Sequence, residues 1–273
     1  MSRFDQADIL ITGGARGMGR LLARRCLTEG ARRVVLWDVD RAALDDTANE
    51  LRDGGGTVET AVVDLRSADG IDSAAQRLIA AATAPGILFN NAGVVVGKPF
   101  DGHSRADIET TIQVNTIAPM LVTRAFLSVL IERRAGHVVN IASAAALTPN
   151  PNMSVYAASK WALLGWSESL RLELAAARCG VRVTTVCPSY VDTGMFAGVR
   201  APLLTPILRP EAVVDRIVRA VRQDRILVRV PAVVHLLPAL RGLLPVRWFD
   251  RLIGRGCRVY GSMDGFTGRP GRS

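Results

Sequence analysis

The start of the chain contains a predicted strand, a glycine-rich turn and a helix, and this unit constrains the fold more than any other feature. Asp8–Thr12 is a short apolar run, residues 13–19 read GGARGMG, and the amphipathic stretch that follows ends at Gly30. Glycines in such a turn let the backbone approach a pyrophosphate, whose negative charge then lies among the free N–H groups at the helix N-terminus. The pattern predicts a dinucleotide site, although a plain strand–turn–helix connection has the same form.

The next predicted strand ends at Asp38. A carboxylate about 20 residues beyond the glycine turn can bind both ribose hydroxyls of an adenosine, and it repels a 2′-phosphate. Asp38 therefore favours NAD over NADP, and Arg16 is the one residue of the turn that would soften this preference. The alternative is that Asp38 only caps the helix that follows.

The rest of the chain alternates strands and helices. Further apolar segments occupy residues 57–63, 87–93, 137–143, 181–188 and 226–230. Such alternation implies a parallel sheet covered on both faces. We predict a single-domain α/β fold with a Rossmann-type, doubly wound parallel sheet of about seven strands. Residues 1–230 form the predicted catalytic domain, and residues 231–273 form a helical C-terminal extension packed on or beside it.

Tyr156 and Lys160 are spaced to lie on one face of a helix, with Ser143 at the end of the strand before it. An ammonium beside a phenol brings the pKa of the phenol from about 10 toward neutrality, which produces a base. Only Lys98 and Lys160 are lysines among the 34 basic residues, which suggests a role that arginine cannot fill. The alternative is an ordinary solvated helix surface, since such pairs also occur by chance.

Polar and glycine residues stand at the ends of six predicted strands. They are residues 13–19, Asp38, Asp64, residues 90–93, Ser143 and Pro188. The carboxyl ends of parallel strands share one edge of the sheet, so these residues are expected to form one site.

Together these residues resemble the classical short-chain dehydrogenase/reductase family. The resemblance rests on the TGxxxGxG pattern of residues 12–19, the NNAG motif of residues 90–93, and the set Asn115, Ser143, Tyr156 and Lys160. It implies that Tyr156 is the general acid/base and that Ser143 positions the substrate oxygen. It further implies that Lys160 lowers the tyrosine pKa and binds the nicotinamide ribose, and that Asn115 holds a water that relays protons.

The same resemblance implies a set of cofactor-binding residues, with Asp64 at the adenine edge. The set is Gly13, Ala15, Arg16, Gly17, Met18, Gly19, Asp38, Asp64, Leu65, Asn91, Ala92, Gly93, Tyr156, Lys160, Pro188, Val191 and Thr193. Ser189 stands where the family usually has glycine, which puts the turn after Pro188 in question. Several segments, including VVLWD and the closing SMDGFTGR, are similar to sequences of the retinol and 17β-hydroxysteroid dehydrogenase branch of that family.

Residues 194–209 lie where a lid over the substrate is expected. They are rich in Leu, Met, Phe and Ile and contain no acidic residue. An apolar lid suits a lipophilic alcohol or ketone of the steroid, retinoid, terpenoid or long-chain type. The alternative is that these side chains pack on the core or on a neighbouring subunit.

The C-terminal quarter carries the entire net charge of +9, because residues 200–273 hold 14 basic and 5 acidic side chains. Pro231, Pro238 and Pro245 interrupt its apolar residues, so a membrane-spanning helix is not expected there. Two short amphipathic helices in a membrane interface fit this composition. The favoured alternative is a dimerisation element or a substrate-covering element whose apolar face is buried in protein.

Other classes of function are disfavoured. The four cysteines and three histidines show no metal-ligand spacing, and no nucleic-acid-binding motif is present, so no metal and no nucleic-acid partner are expected. An NADP-dependent carbonyl reductase and, more remotely, a non-catalytic dinucleotide-binding regulator remain alternatives. The N-terminus shows no apolar signal region, so a cytoplasmic location is expected. The family resemblance implies a homodimer or homotetramer.

Overall fold

The computed structural model describes residues 3–268 and contains a seven-stranded, all-parallel sheet. The strands are β1 (Asp8–Thr12), β2 (Arg33–Asp38), β3 (Val58–Val62), β4 (Ile87–Asn90), β5 (Gly136–Ile141), β6 (Val181–Pro188) and β7 (Leu227–Val230). They lie in the order β3-β2-β1-β4-β5-β6-β7. The predicted doubly wound α/β fold is confirmed, with most strand ends within two residues of the prediction. β5 ends at Ile141, so Ser143 lies in the loop beyond it.

Helices cover both faces of the sheet, and polar residues start several of them. They are α1 (Gly17–Thr28), α2 (Arg41–Asp53), α3 (Ala68–Ala80), α4 (Arg105–Ile112), α5 (Ala118–Glu132), α6 (Ser154–Ala176), α7 (Pro210–Arg222), α8 (Leu237–Leu243) and α9 (Val246–Phe249). The side chain of Asp40 accepts a hydrogen bond from the Ala43 N–H at the start of α2, and Ser67 does the same for Gly70 in α3. Such caps satisfy backbone donors that a helix leaves unpaired.

Alternate residues of the central strand point to two separate cores. Ile9 and Ile11 of β1 pack with residues of α1, α2 and α7, whereas Leu10 packs with residues of α3, α5 and α6. All three side chains are completely buried. Burial on both faces explains why β1 is a continuous apolar run instead of an alternating one.

The strand order reverses between β1 and β4. The chain builds β1, β2 and β3 in one direction, then crosses to the other side of β1 and continues outward from β4. Loops leaving the carboxyl ends of these two strands diverge and leave a crevice. The expected position of the site is therefore fixed by the topology.

Two of the helices are joined without a break. A π-helical turn at Gln113–Ile117 links α4 to α5. The combined stretch Arg105–Glu132 is long and apolar enough to cross a membrane by length and composition, and half of its most apolar window is buried. Its Phe126 and Leu130 are fully buried against the sheet. This burial is typical of a core helix.

The extension is helical, and the lid is not. Residues 194–209 consist of turns, apart from one parallel bridge between Val191 and Leu208. In the extension, a 3-10 turn at Ala232–Leu236 precedes α8, and α9 runs into a π-helical segment at Asp250–Gly256.

A buried polar chain connects β4, β5 and α6 and should be sensitive to truncation. Asn140 accepts a hydrogen bond from Asn90 Nδ2 and donates one to Ser167 Oγ, each at 2.8 Å. Asn140→Ala leaves buried polar groups unpaired, so it should lower the free energy of unfolding by about 3 kcal/mol. Urea unfolding measures this value, and the exposed Ser169→Ala on the same helix should change it by less than about 0.5 kcal/mol. Equal effects of both substitutions would contradict the prediction.

Candidate active site

The glycine turn after β1 has the conformation that close backbone approach requires. Gly13 and Gly17 have positive φ values of 64° and 53°. A side chain on Gly19 would collide with the carbonyl oxygen of Gly13. α1 begins at Gly17 with no side-chain cap and no acidic residue in its first turn. Its first N–H groups therefore remain available to an anion.

The side chains of Thr12, at the end of β1, and Asn91, directly after β4, tie the two sides of the crevice together. Asn91 Nδ2 donates hydrogen bonds to the carbonyl oxygens of Thr12 (3.0 Å) and Gly13 (3.1 Å). In return, the Thr12 hydroxyl accepts from the N–H groups of Asn91 (3.1 Å) and Ala92 (3.2 Å). The glycine turn is thereby held against the loop that follows β4.

Backbone N–H groups hold the Asp38 carboxylate in place. One oxygen accepts from Ala15 N at 3.1 Å, and the other accepts from Val39 N at 2.8 Å and Asp40 N at 3.1 Å. Asp40, not Asp38, caps α2. Asp40 also pairs with Arg16 at 2.6 Å, so the positive charge of that arginine is balanced locally.

Asp64 has a close cationic partner. Arg66 binds it in a bidentate arrangement, with Nε 3.0 Å from both carboxylate oxygens and Nη2 2.7 Å from one of them. This hydrogen bonding lowers the pKa of Asp64 below its ordinary value. Nothing in the sequence indicated that Arg66 would pair with Asp64.

The catalytic candidates meet beside the loop after β4. Lys160 Nζ donates to the carbonyl oxygen of Ile141 at 2.9 Å and lies 5.8 Å from the centre of the Tyr156 ring. A side chain on Gly93 would contact both Lys160 Nζ and Asn115 Oδ1. Lys160, Tyr156 and Asn115 are all buried.

The predicted effect of Lys160 on Tyr156 is not what the structure shows. Burial raises the pKa of Tyr156 above its ordinary value near 10, although a hydrogen bond with Ser143 acts in the opposite direction. Burial likewise lowers the pKa of Lys160 to about 8. The prediction considered the neighbouring charge alone, whereas desolvation is the larger influence on both groups.

Asn115 lies inside the π-helical turn and connects three parts of the chain. Its Oδ1 accepts from Val94 N, and its Nδ2 donates to Val94 O, each at 2.9 Å. Nδ2 also donates to Ser159 Oγ on α6 at 3.0 Å. π-helical turns are frequent at functional sites because one extra residue redirects nearby side chains.

A cavity of about 820 Å³, called here the larger cavity, runs along the carboxyl ends of the strands. The predicted residues that line it are Gly13, Arg16, Gly17, Met18, Asp38, Asp64, Leu65, Asn91, Ala92, Gly93, Ser143, Tyr156, Lys160, Pro188, Val191 and Thr193. Ala15, Gly19 and Asn115 are not among its lining residues, and all three are buried. Its volume falls within the range of about 300–1,000 Å³ that is usual for ligand sites.

A second cavity of about 180 Å³, called here the apolar cavity, adjoins the first. Leu203 and Leu204 of the lid line one part of it, and Leu237, Leu240 and Ile253 of the extension line another. Three residues line both cavities: Ser143, Ser189 and Phe196. The two cavities therefore meet at these three residues.

The turn after β6 does not need the family glycine. Ser189 is absent from the described residues with positive φ, and its N–H donates to Val230 O at 2.7 Å. The first residue after this turn with a positive φ is Gly194, with φ of 77°. The doubt about this turn is thus resolved by ordinary backbone geometry at Ser189.

Phe196 is the main site residue that the sequence did not single out. Its ring packs edge-on against Tyr156, with centroids 5.9 Å apart and an interplanar angle of 83°. It contacts Tyr190 in a similar manner at 5.1 Å. The apolar character of the lid was visible in the sequence, but the identity of the side chain that covers Tyr156 was not.

The described residues, 3–268, contain no group of three or more His, Cys, Asp or Glu side chains that could hold a metal ion. The described cysteines are free thiols, and only Cys257 is not buried.

The chain is similar to known proteins over nearly its whole length. The short chain dehydrogenase family model matches residues 7–203. Epidermal retinol dehydrogenase 2 of Mus musculus is 36% identical over 265 residues, which cover 96% of this chain and 85% of that protein. Estradiol 17-beta-dehydrogenase 11 of Homo sapiens is 35% identical over 258 residues, which cover 90% of this chain and 85% of that protein.

Solved structures show the same likeness. A metagenomic short-chain oxidoreductase in complex with NADP is 33% identical, with a TM-score of 0.70, and the match covers 82% of this chain and 97% of that one. A short chain dehydrogenase/reductase of Burkholderia phymatum in complex with NAD is 26% identical, with a TM-score of 0.77, and the match covers 94% of this chain and 98% of that one.

The buried ammonium of Lys160 should reduce stability. Its pKa of about 8 in the folded protein lies below the value of about 10.4 expected in the unfolded chain, so charging it costs free energy on folding. This penalty is complete below pH 8 and disappears as the pH rises toward 10.4. Lys160→Met should therefore raise the free energy of unfolding at pH 7 by up to about 3 kcal/mol.

The measurement is the difference in unfolding free energy between the variant and the wild type at several pH values. The difference should shrink above pH 8. Lys98→Met is the matched control, because Lys98 is partly exposed and pairs with Asp107 at 2.8 Å, so its removal should bring no gain. Because the variant also loses the hydrogen bond from Lys160 Nζ to the Ile141 carbonyl oxygen, a stability difference that stays the same from pH 7 to pH 10 would refute the argument.

Proposed function

Because this chain belongs to the short-chain dehydrogenase family, we propose that it is an NAD-dependent oxidoreductase that interconverts a lipophilic alcohol and its carbonyl compound. The observation that carries the proposal is the position of Ser143 on the walls of both cavities. A substrate oxygen at Ser143 would have its apolar body in one cavity and the cofactor in the other. Retinol and estradiol, which appear in the names of the relatives, are lipophilic alcohols.

The larger cavity fits a nicotinamide dinucleotide. The glycine turn and the uncapped start of α1 would receive the pyrophosphate, and Asp38 would receive the adenosine ribose. Asp64 would lie near the adenine, and Lys160 would bind the nicotinamide ribose. When bound, the nicotinamide supplies two-electron redox chemistry that the side chains of the protein lack.

The side chains supply orientation and a proton. In alcohol oxidation, the hydroxyl proton of the substrate passes to the Tyr156 phenolate while Ser143 holds the oxygen. In carbonyl reduction, neutral Tyr156 returns a proton to the carbonyl oxygen. We assign to Asn115 the role of positioning a proton relay. Its hydrogen bonds, which join the loop at Val94 to α6, support this assignment.

The high pKa of Tyr156 gives the two directions different pH dependences. Burial keeps the phenol neutral at pH 7, and the neutral form is the one that reduction needs. Oxidation needs the phenolate, whose population rises with pH. Alcohol oxidation is therefore expected to accelerate through the alkaline range.

We also propose that the protein forms a homodimer or homotetramer through α5 and α6. These helices leave Ile131, Trp161 and Leu172 at least 39% exposed. Arg241 of the extension lies over the Trp161 ring at 4.3 Å, so the extension covers part of the α6 surface.

The deciding experiment is the initial rate of NADH formation with steroid, retinoid, terpenoid and long-chain alcohols, with NADP tested in parallel. Turnover with NAD is expected and should rise with pH. Tyr156→Phe should lower the turnover by about 10²–10⁴-fold while NADH binding persists. Tyr260→Phe, which alters a tyrosine bonded to Asp250 in the extension, should keep most of the activity. The proposal would be overturned if no alcohol of the panel were oxidised, or if Tyr156→Phe kept a rate near that of the wild type.

The cofactor preference should depend on Asp38. Asp38→Ser removes the negative charge at the expected ribose position, so NAD should bind about tenfold or more weakly and NADP more tightly. Titration of cofactor binding by protein fluorescence measures both affinities. Asp45→Ser on α2 removes an exposed carboxylate and should change neither. If Asp38→Ser leaves the preference unchanged, the Asp38 carboxylate only accepts hydrogen bonds from the backbone and does not select the cofactor. An NADP-dependent reductase then becomes the better hypothesis.

A further inference from the structure

Exposed apolar side chains are concentrated in two short segments. Of the sixteen large hydrophobic side chains exposed in the described chain, eight lie within residues 203–207 and 236–252. They are Leu203, Leu204, Ile207, Leu236, Leu243, Val246, Trp248 and Leu252. Leu243 is 82% exposed, Val246 75% and Leu204 73%. Exposed apolar side chains grouped in this way are typical of a surface that binds a partner or a membrane.

This surface is continuous with the apolar cavity. Leu203, Leu204 and Leu236 line the cavity and are also exposed, so they form its mouth. Residues 232–243 form one apolar helical stretch, in which Leu236, Leu240 and Leu243 have the spacing of a single stripe. The stripe begins at the mouth, passes along the wall at Leu240 and ends in solvent at Leu243.

The same region is strongly positive. Arg241, Arg247, Arg251, Arg255 and Arg258 are exposed, and none of them forms an ion pair with a carboxylate within residues 3–268. Asp250 is the single acidic residue between positions 226 and 263, and it accepts a hydrogen bond from Tyr260. Trp248 lies near Arg251, 5.8 Å from ring centre to guanidinium carbon. Apolar, aromatic and arginine side chains together are the composition of a membrane-interface element.

A second copy of the chain is a poor partner for this surface. In a two-fold dimer the same patch would meet itself, so five arginines would face five arginines with one carboxylate on each side. An anionic partner with an apolar interior satisfies both the charge and the exposed leucines. The size of the cavity agrees, because about 180 Å³ is less than the roughly 300 Å³ at the lower end of ordinary ligand sites. A long lipophilic molecule would therefore extend out through the mouth.

We propose that this docking face, formed by lid residues 203–207 and extension residues 236–258, lies on an anionic lipid surface. The apolar cavity then opens directly toward the acyl chains, and lipophilic substrate enters without crossing water. The docking itself is independent of the chemistry, whereas the entry of substrate from the lipid rests on the function proposed above.

Sedimentation of the full-length protein with lipid vesicles tests the docking. Wild-type protein should bind vesicles of phosphatidylcholine mixed with phosphatidylserine, release them at high salt, and bind poorly to phosphatidylcholine alone. The double variants Leu243→Glu with Val246→Glu and Arg247→Glu with Arg251→Glu should each lose at least about tenfold in vesicle affinity. Their melting temperatures should match that of the wild type, since all four side chains are exposed.

Two control substitutions alter the same residue types at the opposite end of the sheet. Ile226 precedes β7 and is 51% exposed, and Arg77 lies in the last turn of α3. Ile226→Glu and Arg77→Glu should leave vesicle binding unchanged. A loss of binding in these controls as large as in the face variants would refute a specific docking face.

Other outcomes also decide the matter. If the wild type binds neither vesicle, or binds both equally at all salt concentrations, the proposal is wrong. If the face variants change the molar mass in solution while the wild type ignores vesicles, the face is an interface between copies of the chain.

Activity separates the docking from the proposed function. The face variants should turn over detergent-dispersed alcohol at the wild-type rate and show a raised KM for alcohol dissolved in vesicles. If the wild type oxidises no alcohol in either form, the proposed function fails while the sedimentation result still stands.

Discussion

The exchange of hydrogen bonds between Thr12 and Asn91 is the constraint on which the rest of the site depends. The pairing of β1 with β4 extends as far as Phe89. Beyond that residue the two chains must separate, because the strand order reverses there. The Asn91 amide and the Thr12 hydroxyl extend the contact past the last paired residues. The glycine turn can therefore stay close to the loop at Gly93 even though the strands no longer hold it. Without these hydrogen bonds, the two walls of the larger cavity would not be held at a fixed separation.

Much of this arrangement was predictable because it depends on local sequence and topology. The apolar run of β1, the glycines after it and Asp38 at the end of β2 each have one physical reason to be where they are. Parallel strands then bring their carboxyl ends to one edge, so residues far apart in sequence, such as Asp64 and Pro188, line one cavity. The position of the site follows from the fold class alone.

The features that sequence reasoning missed all depend on three-dimensional surroundings. The π-helical turn at Gln113–Ile117 contains no glycine or proline that would mark it in the sequence. The chain contains many arginines, and nothing in the sequence indicates that Arg66 is the one that pairs with Asp64. The direction of the Tyr156 pKa shift depends on burial, to which Phe196 of the lid contributes. Neighbouring charges can be guessed from spacing, whereas desolvation requires knowing what covers the group.

The lid itself is held by the C-terminal segment, and this explains why the extension belongs to the site. The Arg200 N–H donates to Ser262 O, and the Leu203 N–H donates to Cys257 O, each at 2.9 Å. Gly198 packs so closely on the backbone near Gly265 that a side chain on it would collide with the Gly265 carbonyl oxygen. The lid has no helix or strand of its own to fix it, so these backbone contacts give it a defined position. Movement of the lid away from Tyr156 must then carry the C-terminal segment with it, and the wall and the mouth of the apolar cavity change together.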